Sequence, residues 1–172
     1  GTSNNSLYWR LTNPSGNVIF DTYLNYNYDW RQVLPATGAY KLTVYGYNSA
    51  TGQYGFTLWD VTQQTFNINI GDTVSNGVPS AGAGNIESGG TEDVYNFSAT
   101  AGQVIFFDAL SSTNSSLDWE LRDPSNYQYY SSSAINSDVR NINLYSTGTY
   151  QLTVYGIGAT SGSYSFKLWN VP

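Results

Sequence analysis

Residues 148–156 read GTYQLTVYG, and residues 38–46 read GAYKLTVYG. In the later stretch Tyr150, Leu152 and Val154 alternate with more polar residues, which is the pattern of a strand with one buried face. Aromatic and β-branched residues favour strands, and the glycine at each end favours a turn. We therefore predict that residues 38–46 and residues 148–156 form equivalent strands.

The two stretches belong to an internal repeat with an offset of 110 residues. The register holds without a gap from Trp9, which matches Trp119, to the end of the chain, and about a third of the aligned positions are identical. Such self-similarity indicates duplicated units. We interpret residues 63–172 as one complete repeat and residues 1–62 as the second half of a preceding repeat, so that the sequence begins within a longer array.

Other short stretches show the same alternation, at residues 95–97, 105–107, 117–121 and 164–168. Turn residues separate them, which is typical of a sandwich or jelly roll. We predict an all-β fold of β-sandwich or jelly-roll-like repeats, with antiparallel sheets and essentially no helix. The repeat also predicts a strand at residues 54–59 (YGFTLW), which are equivalent to residues 164–169 of the second copy.

Charge and composition exclude several classes of function. The net charge is −6 and the six Lys and Arg residues are scattered, so a nucleic-acid partner is not expected. No run of 18 or more apolar residues occurs, so we expect no membrane insertion. The chain has no Cys and no His, which removes Ser-His-Asp, Cys-His and ordinary zinc sites.

A glycosidase pair of carboxylates stays formally possible with Asp118, Glu120 or Asp123. The first copy carries other residues at these three positions, namely Tyr8, Arg10 and Asn13. Only one copy could then be active. We therefore predict that the protein is not an enzyme.

The second copy contains motifs of one known family. Residues 92–97 (EDVYNF) followed by 99–103 (ATAGQ), then Trp119 before Asp123-Pro124, and finally residues 164–168 (YSFKL), resemble the bacterial pre-peptidase C-terminal domain. Similar versions are repeated in very large bacterial surface and adhesin-type proteins. The resemblance implies a jelly-roll-like sandwich that is exported with, or as part of, a larger protein.

In some members of that family, an acidic cluster before the first strand binds calcium. The resemblance implies a Ca²⁺ site at Asp93, with Glu92 and Glu87 as weaker candidates, and carboxylate oxygens suit this hard cation. The alternative is that Glu92 and Asp93 form a solvated turn in which Asp93 caps backbone N–H groups.

Aromatic residues on loops and outward strand faces are the candidate ligand contacts, because ring faces provide contact area at low entropic cost. Residues 23–30 (YLNYNYDW) differ from their counterparts in the second copy, and variable segments on a fixed scaffold often carry ligand choice. Strand parity also places Tyr45, Tyr155, Lys167, Trp169 and Trp59 outward. The candidates are Tyr23, Tyr26, Tyr28, Trp30, Tyr127, Tyr129, Tyr155 and Trp169. The alternative is that these side chains pack against a neighbouring unit or loop.

The half-repeat at residues 1–62 would expose a core face and unpaired sheet edges unless something covers them. One hypothesis is strand complementation by other copies or neighbouring repeats; another is completion within this chain. The main prediction is thus an extracellular structural or adhesive repeat module of a bacterial surface protein. The alternatives are a module that binds carbohydrate or peptide, and an accessory domain of a secreted protease.

Overall fold

The computed structural model describes residues 6–24, 32–60 and 62–172, with the backbone alone described at 131–133. The chain divides into two compact units, Gly1–Leu58 and Trp59–Pro172. Strands dominate the described part, where the only helical element is a 3₁₀ turn at Tyr47–Ser49, so the all-β prediction is confirmed. In the described residues no helix has the length and apolar character needed to cross a membrane.

Residues 6–24 and 32–58 of the first unit contain one antiparallel sheet of three strands. These are β1 (Leu7–Thr12), β2 (Val18–Tyr23) and β3 (Lys41–Gly46), in the order β2-β1-β3. The turn from β1 to β2 is stabilised by Asn13, whose Oδ1 accepts hydrogen bonds from the backbone N–H groups of Ser15 and Asn17. In the order β2-β1-β3, strands β2 and β3 are the two edges of this sheet.

The second unit is a sandwich of two sheets. Its strands are β4 (Thr62–Asn67), β5 (Thr73–Val74), β6 (Asn85–Ile86), β7 (Thr91–Ala99), β8 (Val104–Ser112), β9 (Leu117–Arg122), β10 (Gln128–Ala134), β11 (Val139–Asn143), β12 (Gly148–Gly156) and β13 (Gly162–Val171). One sheet has the order β10-β9-β12-β7-β4 and the other β11-β8-β13-β5, while β6 pairs with β13. The β-sandwich prediction is confirmed for this unit.

Aromatic contacts between the two sheets form the centre of the core. Trp119 of β9 stacks on Phe107 of β8 with ring centroids 4.2 Å apart, and Tyr95 of β7 meets Phe166 of β13 edge-on at 5.3 Å. The side chains predicted to point inward are all buried: Tyr95, Phe97, Ile105, Phe107, Leu117, Trp119, Leu121, Tyr150, Leu152, Val154, Tyr164, Phe166 and Leu168. The period-2 pattern therefore identified this core correctly.

One strand pairing differs from the antiparallel arrangement that we predicted. Strand β4 runs parallel to β7, with Thr62 opposite Thr91 and Asn67 opposite Asn96. Parallel neighbours need a long crossover, and the chain between them visits the other sheet at β5 before it returns. This excursion lets two successive long strands run in the same direction.

The strand pairing of the first unit recurs in the second at the same offset. Trp9 lies opposite Val44 in the β1–β3 pair, and Trp119 lies opposite Val154 in the β9–β12 pair. At Gly38 and at Gly148 the φ angle is +147°, and an added Cβ would come within 3 Å of the ring of Pro14 or Pro124 respectively. The duplicated sequence thus forms the same local structure twice.

The strand predicted at residues 54–59 is not formed. The equivalent strand β13 is held between β8 and β5, whereas the described part of the first unit contains no counterpart of β8. Extended backbone without a neighbouring strand cannot make ladder hydrogen bonds. The side chains of Tyr54, Phe56 and Leu58 are accordingly exposed.

Candidate binding surface

Four tyrosines gather on the outer face of the first unit's sheet. Tyr8 of β1 lies in register with Tyr23 of β2 and Tyr45 of β3, with ring centroids 4.3 and 5.7 Å away. The ring of Tyr47, in the 3₁₀ turn, is 5.6 Å from that of Tyr8. We call Tyr8, Tyr23, Tyr45 and Tyr47 the tyrosine cluster.

An ion pair borders the tyrosine cluster. Arg10 Nη2 lies 2.5 Å from Asp21 Oδ2, and the Tyr45 hydroxyl donates to Asp21 Oδ1 at 2.7 Å. The hydrogen bonds from Tyr45 and Arg10 hold the pKa of Asp21 below its ordinary value, so this carboxylate is charged at neutral pH. The guanidinium also lies 5.3 Å from the centre of the Tyr45 ring.

The tyrosine cluster combines ring faces with hydroxyl groups. A hydrogen bond with Tyr23 raises the pKa of Tyr8 to about 12. Such a surface can stack against the C–H face of a sugar ring and exchange hydrogen bonds with its hydroxyls. The sequence singled out Tyr23 and placed Tyr45 outward, but missed Tyr8 and Tyr47. The parity of β1 was the available signal for Tyr8, because it alternates with the inward Trp9.

The remaining aromatic candidates of the first unit, Tyr26, Tyr28 and Trp30, lie outside the described residues. Their assignment as ligand contacts stays a prediction.

The tyrosine candidates of the second unit differ in their roles. Tyr127 is largely exposed. Tyr129 packs beside the core, with the rings of Tyr145 and Tyr150 at 5.8 and 6.3 Å, and its hydroxyl donates to the carbonyl of Asn143. Burial raises the pKa of Tyr129 to about 12. The structure therefore gives Tyr129 a packing role and leaves Tyr127 open to solvent.

Trp169 of β13 is half-exposed, but its ring is already in use. The Lys167 ammonium lies 3.6 Å from the ring centroid, and the indole N–H donates to Asp108 Oδ2 at 2.8 Å. One ring face is thus occupied by a cation–π contact. Tyr155, half-buried in β12, lies opposite Asp118 of β9. Both of these candidates belong to the second unit.

Asp93, from the predicted calcium site, is buried beneath two tyrosines. Its Oδ2 accepts hydrogen bonds from the hydroxyls of Tyr164 at 2.5 Å and Tyr95 at 3.2 Å, and those hydroxyls are 2.8 Å apart. The Gly84 N–H donates to the Tyr95 hydroxyl. Burial is the main cause that raises the pKa of Asp93 to about 6. The solvated turn of the alternative is wrong, because Asp93 is buried within β7, although Asp93 does accept a hydrogen bond from the backbone of Asn85.

The other two acidic candidates bind protein groups as well. Glu92 is 1% exposed and accepts a hydrogen bond from Gln63 Nε2, whereas Glu87 accepts one from Gln64 Nε2. Within residues 6–24, 32–60 and 62–172, no three acidic, His or Cys side chains are grouped as metal ligands. The structure therefore does not bring Asp93, Glu92 and Glu87 together as one calcium ligand set.

Two of the three carboxylates considered for glycoside hydrolysis, Asp123 and Glu120, also bind protein groups. Asp123 Oδ1 accepts hydrogen bonds from Ser125 N–H, Ser125 Oγ and Tyr127 N–H, and the bond from Ser125 lowers the pKa of Asp123. Glu120 is bound by Arg122 at 2.9 Å and by Gln128 at 3.2 Å. These contacts give both groups structural roles in turns and strand pairs.

A fold of two facing sheets, with aromatic side chains on its surface, defines the class of this protein as a β-sandwich. No family model matches the chain, and no curated protein matches it. Solved structures that it resembles include the pre-peptidase C-terminal domain of a collagenase from Bacillus anthracis, which is 21% identical, with a TM-score of 0.49. That match covers 63% of this chain and 98% of the domain.

Periplasmic inhibitors of g-type lysozyme are also similar. PliG from Aeromonas hydrophila is 12% identical, with 64% of this chain and all of that chain covered and a TM-score of 0.47. PliG from Salmonella Typhimurium is 20% identical, with 62% and 99% covered and a TM-score of 0.39. At these identities the likeness concerns the fold alone. A pre-peptidase C-terminal domain is thus among the matched structures, as the sequence resemblance predicted.

Proposed function

We propose that this chain is a non-catalytic structural module of an exported bacterial surface protein, in which the first unit joins the module to further units of the same kind. One observation carries the proposal: equivalent apolar side chains are buried in the second unit but exposed in the first. Leu168 of β13 is fully buried, whereas its counterpart Leu58 is 69% exposed. An exposed apolar segment of this kind favours contact with another chain or unit.

The chemistry of the side chains supports a non-catalytic role. The chain has no His and no Cys. The buried Asp93 is surrounded by tyrosine hydroxyls, and Asp123 and Glu120 are bound by their own turn or by neighbouring strands. Export and an extracellular location are supported by the family resemblance of the sequence. A protease-accessory role follows from the same resemblance and is the least specific of the alternatives.

The joining role is tested by light scattering of the purified chain over a range of concentrations, with calcium and then with chelator. We expect the mass to grow above 18.9 kDa with concentration. Val44→Asp, on the inner face of β3, should suppress this growth, whereas Thr43→Asp on its outer face should not. A mass that stays at the monomer value under all these conditions would contradict a joining role, and dissociation by chelator would place calcium at the contact.

The second candidate is a carbohydrate-binding module, and the tyrosine cluster is the observation that favours it. Four neighbouring rings beside a charged pair offer stacking and hydrogen bonding on one sheet face. Titration with soluble glycans tests this role. Tyr8→Ala should abolish binding while the fold stays intact, and Tyr54→Ala, an exposed tyrosine outside the cluster, should leave binding unchanged. Equal effects of the two variants would exclude the cluster as a sugar site.

A further inference from the structure

The first unit exposes apolar side chains whose counterparts in the second unit are completely covered. The counterparts Tyr164, Phe166 and Leu168 are at most 1% exposed, whereas Tyr54, Phe56 and Leu58 are 52%, 47% and 69% exposed. Leu152 and Val154 of β12 are fully buried, while their counterparts in β3 are only half-buried. We call Leu42, Val44, Tyr54, Phe56 and Leu58 the open face.

Two consecutive strands cover the corresponding surface in the second unit. Strand β7 pairs with β12 from Gly148 to Tyr155, and strand β8 pairs with β13 from Tyr164 to Val171. A short turn closed by the hydrogen bond from the Gln103 N–H to the Thr100 carbonyl connects β7 to β8. Because β7 and β8 lie in different sheets, this one segment adds a strand beside β12 in one sheet and a strand beside β13 in the other.

One pair of rings in the first unit already has the arrangement of its counterpart in the complete unit. The rings of Tyr54 and Phe56 stack with centroids 6.4 Å apart and an angle of 2°, and those of Tyr164 and Phe166 stack at 6.3 Å and 7°. Alternate side chains on one side of an extended chain give this spacing. In the described residues, β3 also has a strand partner on one side only. Little rearrangement of the first unit would therefore oppose binding.

We propose that the open face is the acceptor for the β7–β8 segment of another unit of this kind, which inserts as a donor and completes a second sandwich. This inference rests on the proposed joining function and names its partner. The register follows from the complete unit: Leu42 would lie opposite the donor's Tyr95, and Phe56 opposite the donor's Ala109, as Leu152 and Phe166 do within the second unit. The contact is a form of strand addition.

The donor's Asp93 provides specificity in this arrangement. In the second unit, Asp93 accepts a hydrogen bond from the hydroxyl of Tyr164. Tyr54 is the counterpart of Tyr164, so its hydroxyl would donate to the incoming carboxylate. A hydrogen bond to a charged group is stronger than a neutral one. Loss of this hydroxyl should weaken donor binding about tenfold.

The test uses a synthetic peptide of residues 91–112 and the complete 172-residue chain. Hydrogen exchange followed by mass spectrometry should show new protection at β3 and at residues 54–58 when the peptide is added. Binding should saturate at one peptide per chain, and Tyr54→Phe should weaken it about tenfold. A control peptide with Phe97→Asp and Phe107→Asp should give no protection, because both side chains lie in the core of the complete unit.

The donor assignment is overturned if saturating peptide leaves β3 and residues 54–58 unprotected, or if the control peptide protects them equally. It is also overturned if these amides are already protected in a dimer of the chain alone that the peptide does not dissociate, because a different surface of a second copy then covers them. Assembly in light scattering without peptide protection would retain the joining function and exclude this donor. Protection by the peptide without assembly would support the donor site and contradict joining between copies.

Discussion

The carboxyl group of Asp93 is a buried ionisable group of the second unit. It lies between β7 and β13, is fully buried, and meets the hydroxyls of Tyr95 and Tyr164. Removal of the charged form from water is costly, and two hydrogen bonds offset only part of that cost. The pKa of Asp93 is consequently raised from its ordinary value of 3.8 to about 6. The same burial also raises the pKa values of both tyrosines.

This shift predicts that the second unit loses stability as the pH rises. The folded state binds the Asp93 proton more tightly than the unfolded state does, and this tighter binding stabilises the fold. The stabilisation is complete below about pH 4 and is lost as the pH rises through about 6. The difference corresponds to about 3 kcal/mol. Urea denaturation at pH 4 and pH 7 should show this decrease in the free energy of unfolding, and Asp93→Asn should reduce it. An unchanged pH dependence in Asp93→Asn would show that Asp93 does not titrate in this range.

Gly148 begins β12 where the chain passes the ring of Pro124. Its φ angle is +147°, and a Cβ at this position would lie 2.8 Å from Pro124 Cγ. Gly148→Ala should therefore lower the free energy of unfolding by about 2–4 kcal/mol, through backbone strain and the steric clash together. Gly102→Ala is the control, because its φ is +88° but no atom lies within 4 Å of the added Cβ. Equal losses in urea denaturation would mean that the proline contact is unimportant.

The sequence predicted the direction of core side chains well but not the surroundings of the acidic residues. Alternation determines which side of a strand a residue occupies, so the burial of Trp119 and Phe166 followed from local pattern alone. The burial of Asp93 depends on Tyr164, which is 71 residues further along the chain. The tyrosine cluster likewise depends on strand register between β1, β2 and β3. Local patterns do not contain such long-range pairings.

At the scale of whole elements, the same sequence pattern has two structural outcomes. Residues 162–171 form β13, whereas residues 52–60, the described equivalents, form no strand. Both stretches carry Tyr, Phe and Leu at alternate positions. Strand formation depends on neighbouring strands and burial more than on intrinsic preference. The alternating pattern could therefore predict a strand at residues 54–59. It could not show that the described part of the first unit lacks a neighbouring strand for these residues to pair with.

Paired substitutions measure this difference between the two elements. Phe166 is fully buried and stacks on Phe107 with ring centroids 5.1 Å apart, whereas Phe56 is 47% exposed. Phe166→Ala should cost about 3–5 kcal/mol in the free energy of unfolding. Phe56→Ala at the equivalent position should change it by less than about 0.5 kcal/mol. Chemical denaturation followed by circular dichroism gives both values, and a large loss in Phe56→Ala would show that residues 54–58 are already packed.

At the scale of the whole molecule, the two units differ in how much core each contains. The second unit buries a continuous set of large side chains between two sheets, among them Trp119, Tyr150 and Phe166. The described part of the first unit is a single sheet of three strands whose inner side chains are mostly half-buried. Hydrophobic burial is the main source of folding stability, so we expect the first unit to be the less stable of the two.

We predict that thermal unfolding of the chain occurs in two transitions, the lower one from the first unit. Leu121→Ala and Leu11→Ala remove equivalent side chains in β9 and β1, and they should shift different transitions. Leu121→Ala should destabilise the second unit by about 2–5 kcal/mol and lower only the upper transition, because Leu121 is fully buried. Leu11→Ala should lower only the first transition, and by less, because Leu11 is half-buried. Differential scanning calorimetry separates these effects, and a single transition that both variants shift would mean that the units fold as one cooperative body.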